Sequence, residues 1–197
     1  MASTTTYDYS NLQINGTTPT AVYANGTQVL RMIVNGTDVI HKTTVATQTI
    51  SVSFSFQVDA TYETSGGCTP SNDVKFSNAK LLYSVNRGDL SAGLYVTQIK
   101  YSGYYSLDGN NTSNQTVTKT VSNANESGSL ALNSYDGWLN DDDSVSFVPH
   151  FTLTITYSDG STETVSVPSV SITTSGSPIT TVLTTHSKTF TKTTQEY

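Results

Sequence analysis

The sequence predicts an all-β chain: a β-sandwich, immunoglobulin-like or jelly-roll-like, with an N-terminal β-meander. Three observations carry this. Ile50, Val52, Phe54, Phe56, Val58, Ala60 and Tyr62 alternate with Ser51, Ser53, Ser55, Gln57, Asp59 and Thr61, so one face is apolar and the other polar. Asn-Gly and Asp-Gly pairs, the strongest short turn signals, recur between such stretches. No window carries the 3.6-residue apolar period of a helix.

The elements follow in chain order. Residues 1–13, MASTTTYDYSNLQ, hold few apolar groups and are expected to form a flexible arm. Residues 14–44 repeat Asn-Gly-Thr three times at ten-residue spacing. Both central residues of a type I′ turn need positive φ, which Asn and Gly tolerate. Turns are therefore expected at Asn25-Gly26 and Asn35-Gly36, joining strands near 21–24, 27–34 and 37–42. Asn15-Gly16 is a third candidate, blunted by Pro19. The triplets also match a glycosylation acceptor, but a chain this rich in Asn and Thr produces such matches by composition.

The sandwich is expected over 45–188. Its longest strand, 50–62, exceeds the usual length and calls for a bend or bulge. A loop at 63–73 leads to strands near 80–85 and 93–101, then to a loop or hairpin tip at 106–115. Weaker strands follow at 116–121 and 129–132, and an acidic loop spans 136–144. In HFTLTITYSDGSTETVSV, from His150 to Val167, a two-residue loop would set Leu153 against Ser166. A three-residue loop, Ser158-Asp159-Gly160, sets Leu153 against Val165 and Phe151 against Val167, keeping apolar residues together. Gly160 then takes the left-handed conformation beside Asp159. Strands near 170–173 and 181–186 complete the set, and 189–197 reads as a C-terminal tail.

Composition narrows the function. Net charge is −6, with 9 Lys plus Arg and no basic stripe, which argues against nucleic acid. No apolar run is long enough to span a membrane. The N-terminus lacks a basic and then apolar leader, and one cysteine, Cys68, makes no internal disulfide. The surface nevertheless reads as extracellular, rich in Thr, Ser, Asn and Tyr. A virion component, made in a host cytoplasm and later facing outward, satisfies both, and a trimmed piece of a secreted protein would also fit.

The stretch VYANGTQVLRMIVNGTDVI resembles segments of virion structural proteins of tailed bacteriophages. There, short Asn-Gly-Thr units followed by valine recur near domain starts, often beside immunoglobulin-like sandwiches. The resemblance covers residues 12–42; such units often end in Val-Trp-Lys, where this chain has Val39-Ile40-His41-Lys42. It implies a structural or adsorption role in a tail, collar, baseplate or head decoration, with copies of itself and other virion proteins as partners. It transfers no functional residues.

Asp141, Asp142 and Asp143, with Asp136 and Asn140, supply oxygens of the kind Ca²⁺ takes. EF-hand spacing is absent, so solvated carboxylates are the expectation and no metal is assigned. Tyr135 and Trp138 beside these acids form the candidate ligand site, a sugar-stacking surface for a host glycan, with Tyr101, Tyr104 and Tyr105 as further aromatics. Arg87-Gly88-Asp89 reads as turn chemistry rather than as a receptor tripeptide. His41, His150 and His186 lie far apart, and no catalytic or cofactor motif occurs, so neither enzyme nor cofactor is expected.

Overall fold

The computed structural model describes residues 3–9, 12–13, 17–24, 27–29, 32–34, 37–64, 72–89, 92–122, 125–140 and 143–196. Among these there is no helix. The strands are β1 (Ser3–Asp8), β2 (Tyr23–Ala24), β3 (Thr27–Gln28), β4 (Met32–Val34), β5 (Thr37–Thr64), β6 (Asn72–Asn86), β7 (Val96–Leu107) and β8 (Asn110–Asn111). They continue as β9 (Gln115–Thr120), β10 (Glu126–Ala131), β11 (Leu139–Asn140), β12 (Ser144–Tyr157), β13 (Thr162–Val165), β14 (Val170–Thr173) and β15 (Ile179–Glu196).

Contacts group the chain into two units. The first holds Met1–Thr49, Asp89–Gly93 and Thr189–Tyr197; the second holds Ile50–Gly88 and Leu94–Lys188.

In the first unit β1 lies antiparallel to β5, from Ser3 opposite Ala46 to Asp8 opposite His41. Tyr9 and Ile40 are buried, and Tyr7, Leu12, Val22, Val29 and Met32 pack on them. Gln28 Nε2 donates to Tyr9 Oη at 2.9 Å, which satisfies the phenol. The arm expected at 1–13 thus carries a paired strand and a buried tyrosine. Few apolar residues are enough when the partner strand supplies the backbone bonds. The tail expected at 189–197 is likewise the end of β15, with Phe190 buried. The unit boundary falls after Thr49 rather than at 44.

Paired strands flank two of the expected Asn-Gly turns. Ala24 faces Thr27, and Val34 faces Thr37, so two residues separate each pair. Asn25, Gly26, Asn35 and Gly36 lie outside the described residues. The single strand expected over 27–34 is instead β3 and β4, which pair with different strands.

The second unit is a sandwich of two antiparallel sheets. In one, β5 lies between β15 and β6, and β6 also pairs β10 and β11. In the other, β7 and β12 are central; β9 and β8 pair β7, while β13 and β14 pair β12. Naming β5, β6, β7, β9, β10, β12 and β13 as A, B, C, C′, E, F and G gives neighbours A-B-E and C′-C-F-G. That connectivity selects the immunoglobulin-like form over the jelly roll. No disulfide pins the sheets here. Phe56 of β5 does so, packed on Tyr105 of β7 at 5.0 Å and on Phe147 of β12 at 4.7 Å between ring centroids.

The ladder of β5 with β6 does shift register between Gln57 and Asp59, but the extra residue is in β6, where Asn78 and Ala79 stand against Val58 and Asn78 has φ of 50°; β5, where the bend was expected, keeps its alternation. It switches the buried phase of β6 from Val74 and Phe76 to Ala79, Leu81 and Tyr83.

The hairpin register is as argued from sequence: Leu153 faces Val165 and Thr156 faces Thr162. Gly160 N–H donates to Tyr157 O at 3.0 Å, and Gly160 has φ of 82°. Phe151 does not face Val167, because the ladder stops at Val165 ahead of Pro168, which has no N–H to donate. Pairing resumes at Val170 opposite Phe147. Gly160→Val should lower stability by about 1–3 kcal/mol through backbone strain. Space is open there, with nothing within 4 Å of an added Cβ, so Gly160→Asn should melt close to the parent. Thermal unfolding of both variants checks this.

Candidate functional site

The acidic loop is placed by the start of β6. Leu139 faces Val74 and Asn140 faces Asp73, while Lys75 Nζ meets Asp136 Oδ1 at 2.6 Å. That ion pair holds the Asp136 carboxyl below its ordinary range. Asp141 and Asp142 lie outside the described residues. Asp143 is exposed, with φ of 67°, and its carbonyl accepts from Thr174 N–H at 3.1 Å, which ties the loop to the end of β14. Among the described residues no three His, Cys, Asp or Glu side chains converge as metal ligands.

The aromatic candidates separate. The Tyr135 ring lies over Gly137, where an added Cβ would meet it at 2.5 Å, and Trp138 is 44% exposed. Tyr101 and Tyr105 point into the core and are buried, so they belong to no surface. Burial pushes both phenols up, and Tyr105 Oη donates to Asn133 O at 2.8 Å. The strand alternation that buries these two turns Tyr104 outward.

Arg87 is also engaged. Its Nε donates to Leu94 O at 2.8 Å, and its guanidinium sits 5.3 Å from the centre of the Tyr95 ring. A receptor tripeptide presents that guanidinium free, so turn chemistry accounts for Arg87-Gly88 better.

What the fold does assemble is a flat hydroxylated face on the outside of the β9–β7–β12–β13 sheet. Thr118, Lys100, Thr154 and Thr164 line up across four strands, as do Thr120, Gln98, Thr156 and Thr162. Thr116, Ser102 and Thr152 form the next row, and Tyr104 opposite His150 the one after. The Tyr104 and His150 rings stack at 4.7 Å with 24° between planes, and Ser106 Oγ lies 3.3 Å from His150 Nε2.

Comparison of the chain with family models, with curated proteins and with solved structures finds no match.

In the sequence His150 stands isolated, with nothing beside it to connect it to Tyr104 or Lys100. The available signal was the polar phase of both strands: 98, 100, 102 and 104 on one, 150, 152, 154 and 156 on the other. Their register is non-local, and only the fold supplies it.

At the far end of the sandwich, β15 is tied to β13. Lys188 Nζ meets Glu163 at 2.8 Å and sits 4.8 Å from the centre of the Tyr157 ring. Burial, then Glu163 and Asp159, push the Tyr157 phenol up to about 12. Lys188 lowers the Glu163 carboxyl below its ordinary 4.5. This pairing therefore stabilises the fold above that pH, and the contribution drains away as pH falls through the lowered value. Melting temperature should fall on acidification from about pH 6 to pH 3, and by less in Lys188→Met, which lacks the pair.

Proposed function

We propose that the chain is a structural protein of a tailed-bacteriophage particle, in its tail, collar, baseplate or head decoration. It works without catalysis or cofactor, by packing against copies of itself and neighbouring virion proteins after synthesis in the host cytoplasm. The resemblance of residues 12–42 to virion segments suggests the setting. The observation that carries the mechanism is the outer face of the β15–β5–β6–β10 sheet. Thr185, Ser53, Ser84 and Ser127 form one row there, and Ser55, Leu82 and Ser129 the next. Ser53 shares a hydrogen bond with Thr185 at 3.1 Å, and Ser127 donates to Ser84 at 3.0 Å. Ser53, Ser55, Ser84, Ser127 and Ser129 line a shallow depression of about 490 Å³ over Leu82.

Such a face suits docking. Short side chains allow a second sheet to approach to about 10 Å. The hydroxyls already bond one another, and these rows hold no charge that would be stripped of water. Ser84→Arg places a long cation in the depression at an exposed position. It should melt within a few degrees of the parent yet be missing from purified particles. Incorporation of the variant at the parental level, or absence of the parent chain from particles, overturns the proposal.

A second reading, a carbohydrate- or receptor-binding module, is favoured by Trp138 standing exposed beside the loop that holds Asp136.

A further inference from the structure

We infer that the outer face of the β9–β7–β12–β13 sheet binds an acidic oligosaccharide, with Tyr104 and His150 stacking on a sugar ring and Lys100 holding a carboxylate or sulfate. This goes beyond the packing proposal, which uses the other sheet, and it moves the sugar site away from Trp138.

Three observations converge. First, the Tyr104–His150 stack is the aromatic feature of rows otherwise made of hydroxyls, Gln98 and Lys100, and it meets water: His150 is exposed and Tyr104 half-buried. An aromatic pair stacked across the strands holds its rings rigid and leaves the faces turned away from each other, and such a face is what the C–H side of a sugar stacks on. Ser106 Oγ near His150 Nε2 holds the imidazole in place.

Second, the neighbouring rows supply hydrogen-bonding groups at regular intervals. Successive outward residues on a strand stand roughly 6.6 Å apart, and adjacent strands about 4.8 Å apart. Thr116, Thr152, Thr154, Thr118 and Thr164 occupy that lattice, exposed or half-exposed. Each hydroxyl both donates and accepts, so the array fits a polyhydroxylated chain in several registers.

Third, Lys100 stands in the middle of the array, exposed and with no ion-pair partner among the described residues. Glu163 of β13 lies on the alternate phase, half-buried and engaged by Lys188. A lone cation among neutral hydroxyls selects an anion. The Lys100–Tyr104 separation along β7 is about 13 Å, four residues at the strand rise. A short oligosaccharide bridges it with one ring on the stack and an acidic group on the ammonium.

The test is a panel of immobilised oligosaccharides bearing uronic acid, sialic acid or sulfate, each with its neutral counterpart, probed with the full chain. At least one acidic member should be retained over its neutral form, and retention should fall as NaCl is added. Lys100→Gln should weaken binding about tenfold at low salt and remove the preference for the acidic form. Tyr104→Ala should weaken both forms by about five- to tenfold. Lys100 is exposed, so Lys100→Gln keeps the test decisive if Tyr104→Ala is unstable. Retention of no acidic member, equal retention of neutral members, or unchanged binding by Lys100→Gln each overturns the inference. Trp138→Ala should bind as the parent does; loss of binding there returns the site to the loop.

Discussion

Phe56→Ala should cost about 3–5 kcal/mol and shift the urea midpoint sharply, because it empties the space between the two sheets. Phe56 is 1% exposed and touches rings from β7 and β12 of the opposite sheet. An immunoglobulin-like sandwich commonly has a disulfide and a tryptophan in that role. Here three phenyl rings replace them, since Tyr105 and Phe147 also stack on each other at 5.3 Å. Removing one leaves the other two without a common partner, and the cavity cannot close without moving both sheets. Against a total stability of about 5–15 kcal/mol for a domain, that loss brings unfolding within reach of mild conditions. Phe56→Leu, which keeps most of the volume, should lose roughly half as much or less. A midpoint unchanged in Phe56→Ala would mean the sheets are held elsewhere.

Gly103→Ala should be of similar severity for a different reason. Gly103 lies opposite Phe151 on the paired strand, with φ of 135°. An added Cβ would fall on His150 O and stand 2.6 Å from Phe151 Cα, both backbone atoms that no rotamer change can move. Strain and clash together should exceed about 3 kcal/mol. Gly160→Ala, with φ of 82° nearer the left-handed region and open space, should lose only about 1 kcal/mol. Thermal melting of these two alanines should therefore show a wide gap, set by the close backbone and the more extreme φ at Gly103. Gly103 also sits between Ser102 and Tyr104, so its variant should disturb the stacked pair on the outer face.

The legible parts of the fold were local. The register from Leu153 to Val165 needed only a short turn and the rule that apolar residues share a face, and it was readable in full. The bulge was readable only as an irregularity expected along β5, and its extra residue lies in β6. The immunoglobulin-like order was not, because β10 joins β6 and β12 joins β7 across many intervening residues. The site suffered from the same gap. Tyr101, Tyr104 and Tyr105 look equivalent in a line of text, yet alternation buries two and exposes one. The acidic run at Asp141–Asp143 drew notice by composition, and Lys100, a single cation, did not. Tyr9 shows the opposite error: an arm poor in apolar residues still buried one large ring, because pairing with β5 carries it there.

The union of β5 with β15 sets an order of events during synthesis. Ser53 bonds Thr185 across 132 residues of chain, and Gln57 bonds Thr180 across 123. At ~5–20 residues per second, β5 leaves the ribosome on the order of ten seconds before its outer neighbour exists. During that interval the strand presents an open row of backbone donors and acceptors, the kind of edge that captures stray strands. Its alternate positions from Ser51 to Gln57 are serine and glutamine, so the face left bare beside that edge is wet rather than sticky. Closure by the last strand also makes folding slow, since contacts so distant in sequence form only after a large loop has been gathered in. A nascent chain stopped short of Ile179 should therefore remain without its sheet complete, however long it waits.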